Sequence, residues 1–207
     1  MNNRLILLLV SIITFSVSAQ KEYTYNFKNS DSLDAYIERY ELPFQEEDIY
    51  ITKDSENSFR PYYESKFLRS PIIYVFNEEG QFLESINNIT SEKKLANFKK
   101  LRKRPEKNEP SLDFWTSKIV HYKTGNDYDD PKKYDYTFVV NWGVFEHEQI
   151  QQVVDIWSEW YNVLMRQKAK GENIKIILFN IDLQERWELS PYMRKFVLEN
   201  VNRSWGE

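Results

Sequence analysis

The stretch Tyr136-Thr137-Phe138-Val139-Val140-Asn141-Trp142 decides the fold, because its aromatic and β-branched residues are typical of a buried strand. A second apolar run, Ile174 to Ile181, predicts another strand. Between them, the segment from about Glu146 to Lys170 predicts a long amphipathic helix. Its apolar stripe, with spacings of three and four, consists of Ile150, Val153, Trp157, Trp160 and Leu164. Strand, helix and strand in this order predict parallel pairing through a right-handed crossover.

A second unit lies earlier in the chain and begins at Ser70-Pro71. Residues 72–76 are a buried strand candidate, and 77–80 read Asn-Glu-Glu-Gly, which predicts a tight turn. Residues 81–86 then predict an antiparallel return strand. This unit is a β-hairpin.

The remaining predicted elements are shorter. The strands are an edge strand at 20–28, one at 48–52 and one at 117–123, and a broken helix is predicted at 57–68. Three further helices run from Asp31 or Ser32 to Glu41, from Thr90 or Ser91 to Arg104, and over 191–202. The inward residues are Leu95, Phe98 and Leu101 in the second of these helices, and Met193, Phe196, Val197 and Val201 in the third.

The first 19 residues predict an export signal. Met1 to Arg4 is a short positive lead, Leu5 to Val17 is mostly apolar, and Val17-Ser18-Ala19 places small residues at the cleavage positions. The apolar run is shorter than the ~20 residues that span a bilayer as a helix. We therefore expect cleavage after Ala19, a periplasmic or secreted location, and no membrane span in the mature chain.

Composition narrows the classes of function. The chain has no cysteine, which excludes disulfides and thiol chemistry by its own side chains. Its net charge of −4 argues against nucleic acid as a partner, and five glycines leave no room for a glycine-rich phosphate loop. Hydrophobic residues make up 41% of the chain, which predicts a folded protein of one domain or two small ones.

The strand–helix–strand at 136–182 and the hairpin at 70–83 resemble the two halves of a thioredoxin-like fold of the periplasmic thiol-disulfide type. In that family, a Thr-Pro or similar pair with a cis proline precedes the hairpin, as Ser70-Pro71 does here. The resemblance implies an α/β fold, a mixed sheet flanked by helices. Redox-active members carry Cys-x-x-Cys after the first strand, whereas residues 142–148 here read Trp-Gly-Val-Phe-Glu-His-Glu. Without a thiolate, disulfide exchange has no attacking group.

The two halves occur in permuted order. Residues 20–104 would supply the hairpin half, 105–135 a linker with an extra strand, and 136–207 the strand–helix–strand half with a terminal helix. Two arrangements remain open: one circularly permuted domain, or two incomplete units packed side by side. In a single domain, the strands at 72–76 and 136–141 belong to one sheet.

The sequence predicts a non-catalytic binding module for a protein or peptide of the cell envelope. Trp142 is the leading candidate, because the related fold exposes its working loop there and open α/β sheets bind partners at that edge. The full set of expected binding residues is Ser70, Pro71, Trp142, Val144, Phe145 and His147.

Two other functions stay open. An interaction subunit would dock an acidic partner through the basic helix 91–104, although basic residues on a helix are also typical of a solvated face. Its patch would consist of Lys99, Lys100, Arg102, Lys103 and Arg104. A non-redox enzyme would use carboxylates and His147, but the chain has no nucleophile motif such as Gly-x-Ser-x-Gly.

No metal and no cofactor are expected. Glu146, His147 and Glu148 are consecutive, so on a regular helix they point about 100° apart and cannot chelate one ion. The only other histidine is His121. The acidic loop, with Asp127, Asp129 and Asp130, lacks the glycine and the distal glutamate of a calcium loop and predicts a polar turn.

Overall fold

The structure is a computed structural model and describes residues 26–87, 91–101, 104–106, 109–130, 132–144 and 150–204. The strands are β1 (Phe27–Lys28), β2 (Ile49–Thr52), β3 (Ile72–Asn77), β4 (Phe82–Ile86), β5 (Ile119–His121), β6 (Tyr136–Trp142), β7 (Ile174–Asn180) and β8 (Leu183–Gln184). The helices are α1 (Ser30–Arg39), α2 (Arg60–Glu64), α3 (Ser91–Ala96), α4 (Leu112–Thr116), α5 (Ile150–Ala169) and α6 (Pro191–Ser204).

Six strands form one mixed sheet in the order β4-β3-β6-β7-β2-β5, which confirms the α/β class. β6 and β7 are parallel neighbours, and β2 is parallel to β7 on its other side. β3 runs antiparallel to β6 from Ile72 opposite Asn141 to Asn77 opposite Tyr136. The prediction that the strands at 72–76 and 136–141 share a sheet is therefore confirmed.

The central strands are largely apolar because both faces of the sheet are covered. On one face, α5 buries Trp157, Trp160 and Leu164, and the indole nitrogen of Trp157 donates to the carbonyl of Asn141 at 3.1 Å. On the other face, the ring of Phe179 packs against Tyr62 and Trp115, with centroid distances of 5.1 and 5.6 Å.

The buried stripe of α5 differs from the predicted one at its beginning. Ile150 and Val153 are only partly buried, whereas Val154 and Tyr161 are buried. Since Val154, Trp157, Tyr161 and Leu164 keep the spacing of three and four, the stripe is rotated by about one residue at its start. Trp157, Trp160 and Leu164 are buried as predicted.

Several predicted element boundaries also differ. Asn29, rather than Asp31 or Ser32, caps α1, because its side chain accepts from the Ser32 backbone while Ser32 accepts from the Asn29 backbone. The helix predicted at 90–104 is described only as α3 and a 3₁₀ turn at Phe98–Lys100, although Leu95, Phe98 and Leu101 are buried as predicted. α4 lies in the stretch predicted as linker.

The inner face of the terminal helix α6 matches the prediction in part, since Met193 and Val197 are partly buried. The side chain of Val201 lies outside the described ones. Phe196 is 52% exposed, whereas its neighbour Val197 is partly buried and packs against the core. None of the helices among the described residues has the length and apolar character needed to cross a membrane.

We expect Trp157→Ala to destabilise the whole protein by about 3–5 kcal/mol, because it empties a fully buried site and removes the bond to the Asn141 carbonyl. Urea unfolding followed by circular dichroism measures the loss. Ser158→Ala, on the same helix but only partly buried, serves as the control. A loss below about 1 kcal/mol would contradict this account of the core.

We also expect the fragments 20–108 and 109–207 to fail to fold alone, because β6 and β7 of the second fragment lie between β3 and β2 of the first. Each fragment alone exposes strand edges that the intact sheet pairs. Amide dispersion in NMR spectra of each fragment, and of their mixture, measures folding. A well-dispersed spectrum from either fragment alone would show that the halves fold independently.

Candidate functional site

The candidate site lies where the central strands β6 and β7 reach their carboxyl ends. Four polar side chains at this edge are at most 1% exposed, and we call them the edge network: Asn141, Asn180, Asp182 and Gln184. Buried polar groups are costly unless they are hydrogen-bonded, so their partners define what the network holds.

Asp182 joins the loop after β6 to the loop after β7. One of its carboxylate oxygens, Oδ2, accepts from the backbone N–H of Val144 and from the side-chain amide of Asn180, both at 2.8 Å. The Oδ1 of Asn180 in turn accepts from the amide of Gln184 at 2.9 Å. These bonds fix residues 143–144 to the end of β7.

Asn141 holds a third segment at the same edge. Its side-chain amide donates to the backbone carbonyls of Phe67 and Arg69 at 2.7 and 3.0 Å. Its own backbone carbonyl accepts from the hydroxyl of Ser70 at 2.9 Å. The segment that ends in the cis Ser70–Pro71 peptide bond is therefore held against the end of β6.

Of the residues that the sequence predicted as a binding site, Ser70 bonds directly to the end of β6, through the carbonyl of Asn141. Ser70 and Pro71 are half-buried, and Val144, in the segment that follows β6, is 7% exposed. Phe145 and His147 lie outside the described residues.

Trp142 occupies the expected edge, but its ring is fully buried. It packs between Phe44 and Trp157, at centroid distances of 5.3 and 6.5 Å. Side chains alternate between the faces of a strand, and this alternation places Trp142 under α5 while Asn141 faces the 67–70 segment. The surface that the edge presents is therefore Arg69 to Pro71, with Arg69 exposed.

The basic patch is partly engaged within the chain. Lys99 pairs with Glu172 at 2.8 Å, and this hydrogen bond raises the pKa of Lys99. Lys94, on α3, pairs with Glu84 of β4. Lys100 and Arg104 are exposed, and Arg102 and Lys103 lie outside the described residues.

The acidic loop and His121 are also engaged in contacts of their own. Asp127 pairs with Lys53 at 2.6 Å, and Asp130 accepts from the hydroxyl of Tyr134 at 2.8 Å. The Nδ1 of His121 accepts from the Thr124 backbone at 3.2 Å, while its Nε2 lies 3.1 Å from the Glu46 carbonyl. Within the described ranges, no group of three or more histidine or acidic side chains could hold a metal ion.

A second buried carboxylate, Asp48, lies just before β2. Its Oδ2 accepts from the hydroxyl of Tyr161 at 2.9 Å, and its Oδ1 lies 4.0 Å from the ammonium of Lys175. Burial raises the pKa of Asp48, while the bond from Tyr161 and the charges of Lys168 and Lys175 act against that rise. Since Tyr161 belongs to α5, the pair ties this helix to the start of β2.

The sequence interpretation did not name Asn180, Asp182 or Asp48 as site residues. The available signal was that polar residues directly follow the apolar runs of β6 and β7, whose parallel pairing brings their ends to one edge. Asp48 gave no such signal, because its partners come from elements more than 100 residues away in the chain.

We expect the stability of wild type relative to Asp48→Asn to fall as the pH rises. The folded pKa of Asp48 is raised above 3.8, so protonation favours the folded state fully below that pH and ceases to do so above the folded pKa. Asparagine keeps an oxygen for the Tyr161 hydroxyl. Urea unfolding of both proteins between about pH 3 and pH 8 measures the difference.

Asp129→Asn, at an exposed carboxylate, controls for the general loss of negative charge. If the difference in unfolding free energy between wild type and Asp48→Asn stays constant over this pH range, the inference that burial raises the pKa of Asp48 would be contradicted.

No protein-family model, curated protein or solved structure matches the chain with significance. What the chain does is therefore inferred from its own geometry, in which three separate segments meet at the carboxyl edge of the sheet and are fixed there by buried side chains.

Proposed function

We propose that the chain is an exported, redox-inactive thioredoxin-like module that binds a peptide or protein segment at the carboxyl edge of its sheet. The binding surface consists of Arg69, Ser70 and Pro71 together with residues 143–144, which follow β6. Residues 1–19 act as the signal that directs the chain to the periplasm or out of the cell, and cleavage follows Ala19.

The sheet order supports the permuted form of the thioredoxin-like fold. The hairpin β3–β4 and the β6–α5–β7 unit, which resemble the two halves of that fold, join in one mixed sheet through the pairing of β3 with β6. The hairpin half precedes the β6–α5–β7 half in the chain, so the order is permuted.

The edge network is the observation that carries the proposal. The side chain of Asn141 donates two hydrogen bonds to the 67–69 segment, and its backbone carbonyl accepts one from Ser70. Asp182 accepts one from the backbone of Val144 and one from the side chain of Asn180. A surface whose loops are already ordered loses little conformational entropy when a partner binds. Because this chain has no thiolate, such a site can bind without exchanging disulfides.

The alternative functions have less support. Docking through the basic helix would compete with the ion pairs that Lys94 and Lys99 already form with Glu84 and Glu172. His147 lies outside the described residues, so no contact or distance supports an enzymatic role for it.

Peptide selection on the purified mature chain tests the proposal. Peptides selected from a random displayed library should shift the amide resonances of Arg69, Ser70 and Val144 in NMR titrations. Arg69→Glu should weaken binding by about tenfold or more, which corresponds to ~1.4 kcal/mol, since it reverses the exposed charge of the surface.

Lys93→Glu is the matched control, because it makes the same charge reversal at an exposed position of the basic helix α3. It should leave the affinity unchanged. Shifts centred on α3, together with a loss of binding in Lys93→Glu, would overturn the edge site in favour of docking through the basic helix. Failure to select any peptide would contradict the binding function itself.

A further inference from the structure

A cleft on another part of the surface shares no residue with the carboxyl edge. It lies between α6 and the helical segment formed by the π-helical turn Ser55–Phe59 and α2, and its volume is about 330 Å³. Phe59, Tyr63, Phe196 and Val197 supply its apolar lining. Phe59 is 3% exposed and stacks on Tyr63 at a centroid distance of 6.1 Å, so this wall belongs to the folded core.

The exposure of Phe196 is the second observation. In the part of the chain that the structure describes, the exposed large hydrophobic side chains are Tyr192 and Phe196, at 75% and 52%, and both belong to α6. Phe196 lines the cleft, whereas Tyr192 does not. A half-exposed aromatic ring beside an apolar wall has one face available to pack against a ligand.

The charged side chains at the rim of the cleft favour a ligand with a positive charge. Arg60 bonds Glu64 at 2.8 Å and Glu56 at 3.3 Å, so two carboxylates surround one guanidinium and the rim carries a net charge of −1. These side chains are about 60% exposed, so the attraction is screened by solvent but favours a cation over an anion.

We propose that this cleft binds a small aromatic amine. The volume is near the lower limit of small-molecule sites, which run from about 300 to 1,000 Å³, and fits a single ring with a short side chain rather than an extended peptide. The ring packs against Phe59 and Phe196, and the ammonium group lies at the acidic rim. A cation beside the aromatic faces gains a further cation–π contribution.

NMR titration of the mature chain with 2-phenylethylamine tests the proposal. The amine should shift the amide resonances of Tyr63 and Val197. 3-Phenylpropionate, which has the same ring with a carboxylate in place of the ammonium, should bind about tenfold more weakly or worse. In a Glu56→Gln, Glu64→Gln double variant, this preference for the amine should disappear.

Phe196→Ala should weaken amine binding by about fivefold or more, because it removes one wall of the cleft. Tyr192→Ala, at the exposed aromatic of the same helix that lies outside the cleft, should bind like wild type. Since both positions are exposed, neither variant should change the thermal midpoint by more than a few degrees. Equal affinity for the two ligands, shifts away from the cleft, or unchanged binding in Phe196→Ala would each overturn the proposal.

Discussion

The hydrogen bonds of Asn141 are the constraint on which the rest of the structure depends. Its side chain donates to two carbonyls of the 67–69 segment, and its backbone carbonyl accepts from Ser70 and from the Trp157 indole. One residue at the end of the central strand thus joins both faces of the sheet. Each of these groups is removed from water, so a missing partner would cost about 1–3 kcal/mol. The position of the candidate binding surface follows from this one residue.

The parts of the fold that could be predicted from sequence are those buried on both faces. β6 and β7 are largely apolar because α5 covers one side of the sheet and aromatic residues of the short helices α2 and α4 cover the other. The pairing of β2 with β7 could not be predicted from the local sequence, because it depends on contacts between distant segments. α4 could not be predicted because its five residues are too few to show a helical period. Phe196 fits the apolar stripe that the sequence predicts for the terminal helix, but in the structure it is exposed at a cleft.

The candidate site divides in the same way. Its location follows from parallel pairing, which sends the ends of both strands to one edge, and the sequence predicts it. Which side chain the edge exposes could not be predicted from the sequence. Trp142 and Asn141 are neighbours on opposite faces of the sheet, and the packing of α5 decides that Trp142 is the one covered, by Phe44 and Trp157. The tryptophan is therefore a core residue at the edge, and the asparagine beside it holds the loop that reaches solvent.

The strand order has a consequence for how the chain reaches its folded state. Synthesis proceeds from the amino terminus, so β2, β3 and β4 emerge before the two strands that lie at the centre of the sheet. Until residue 180 has emerged, the partners of β3 and β2 on their inner sides are missing, and both strands offer unpaired edges to neighbouring chains. The order of the strands thus leaves apolar strands of the growing chain with unpaired edges until its last third has been synthesised, and such edges favour association with other chains.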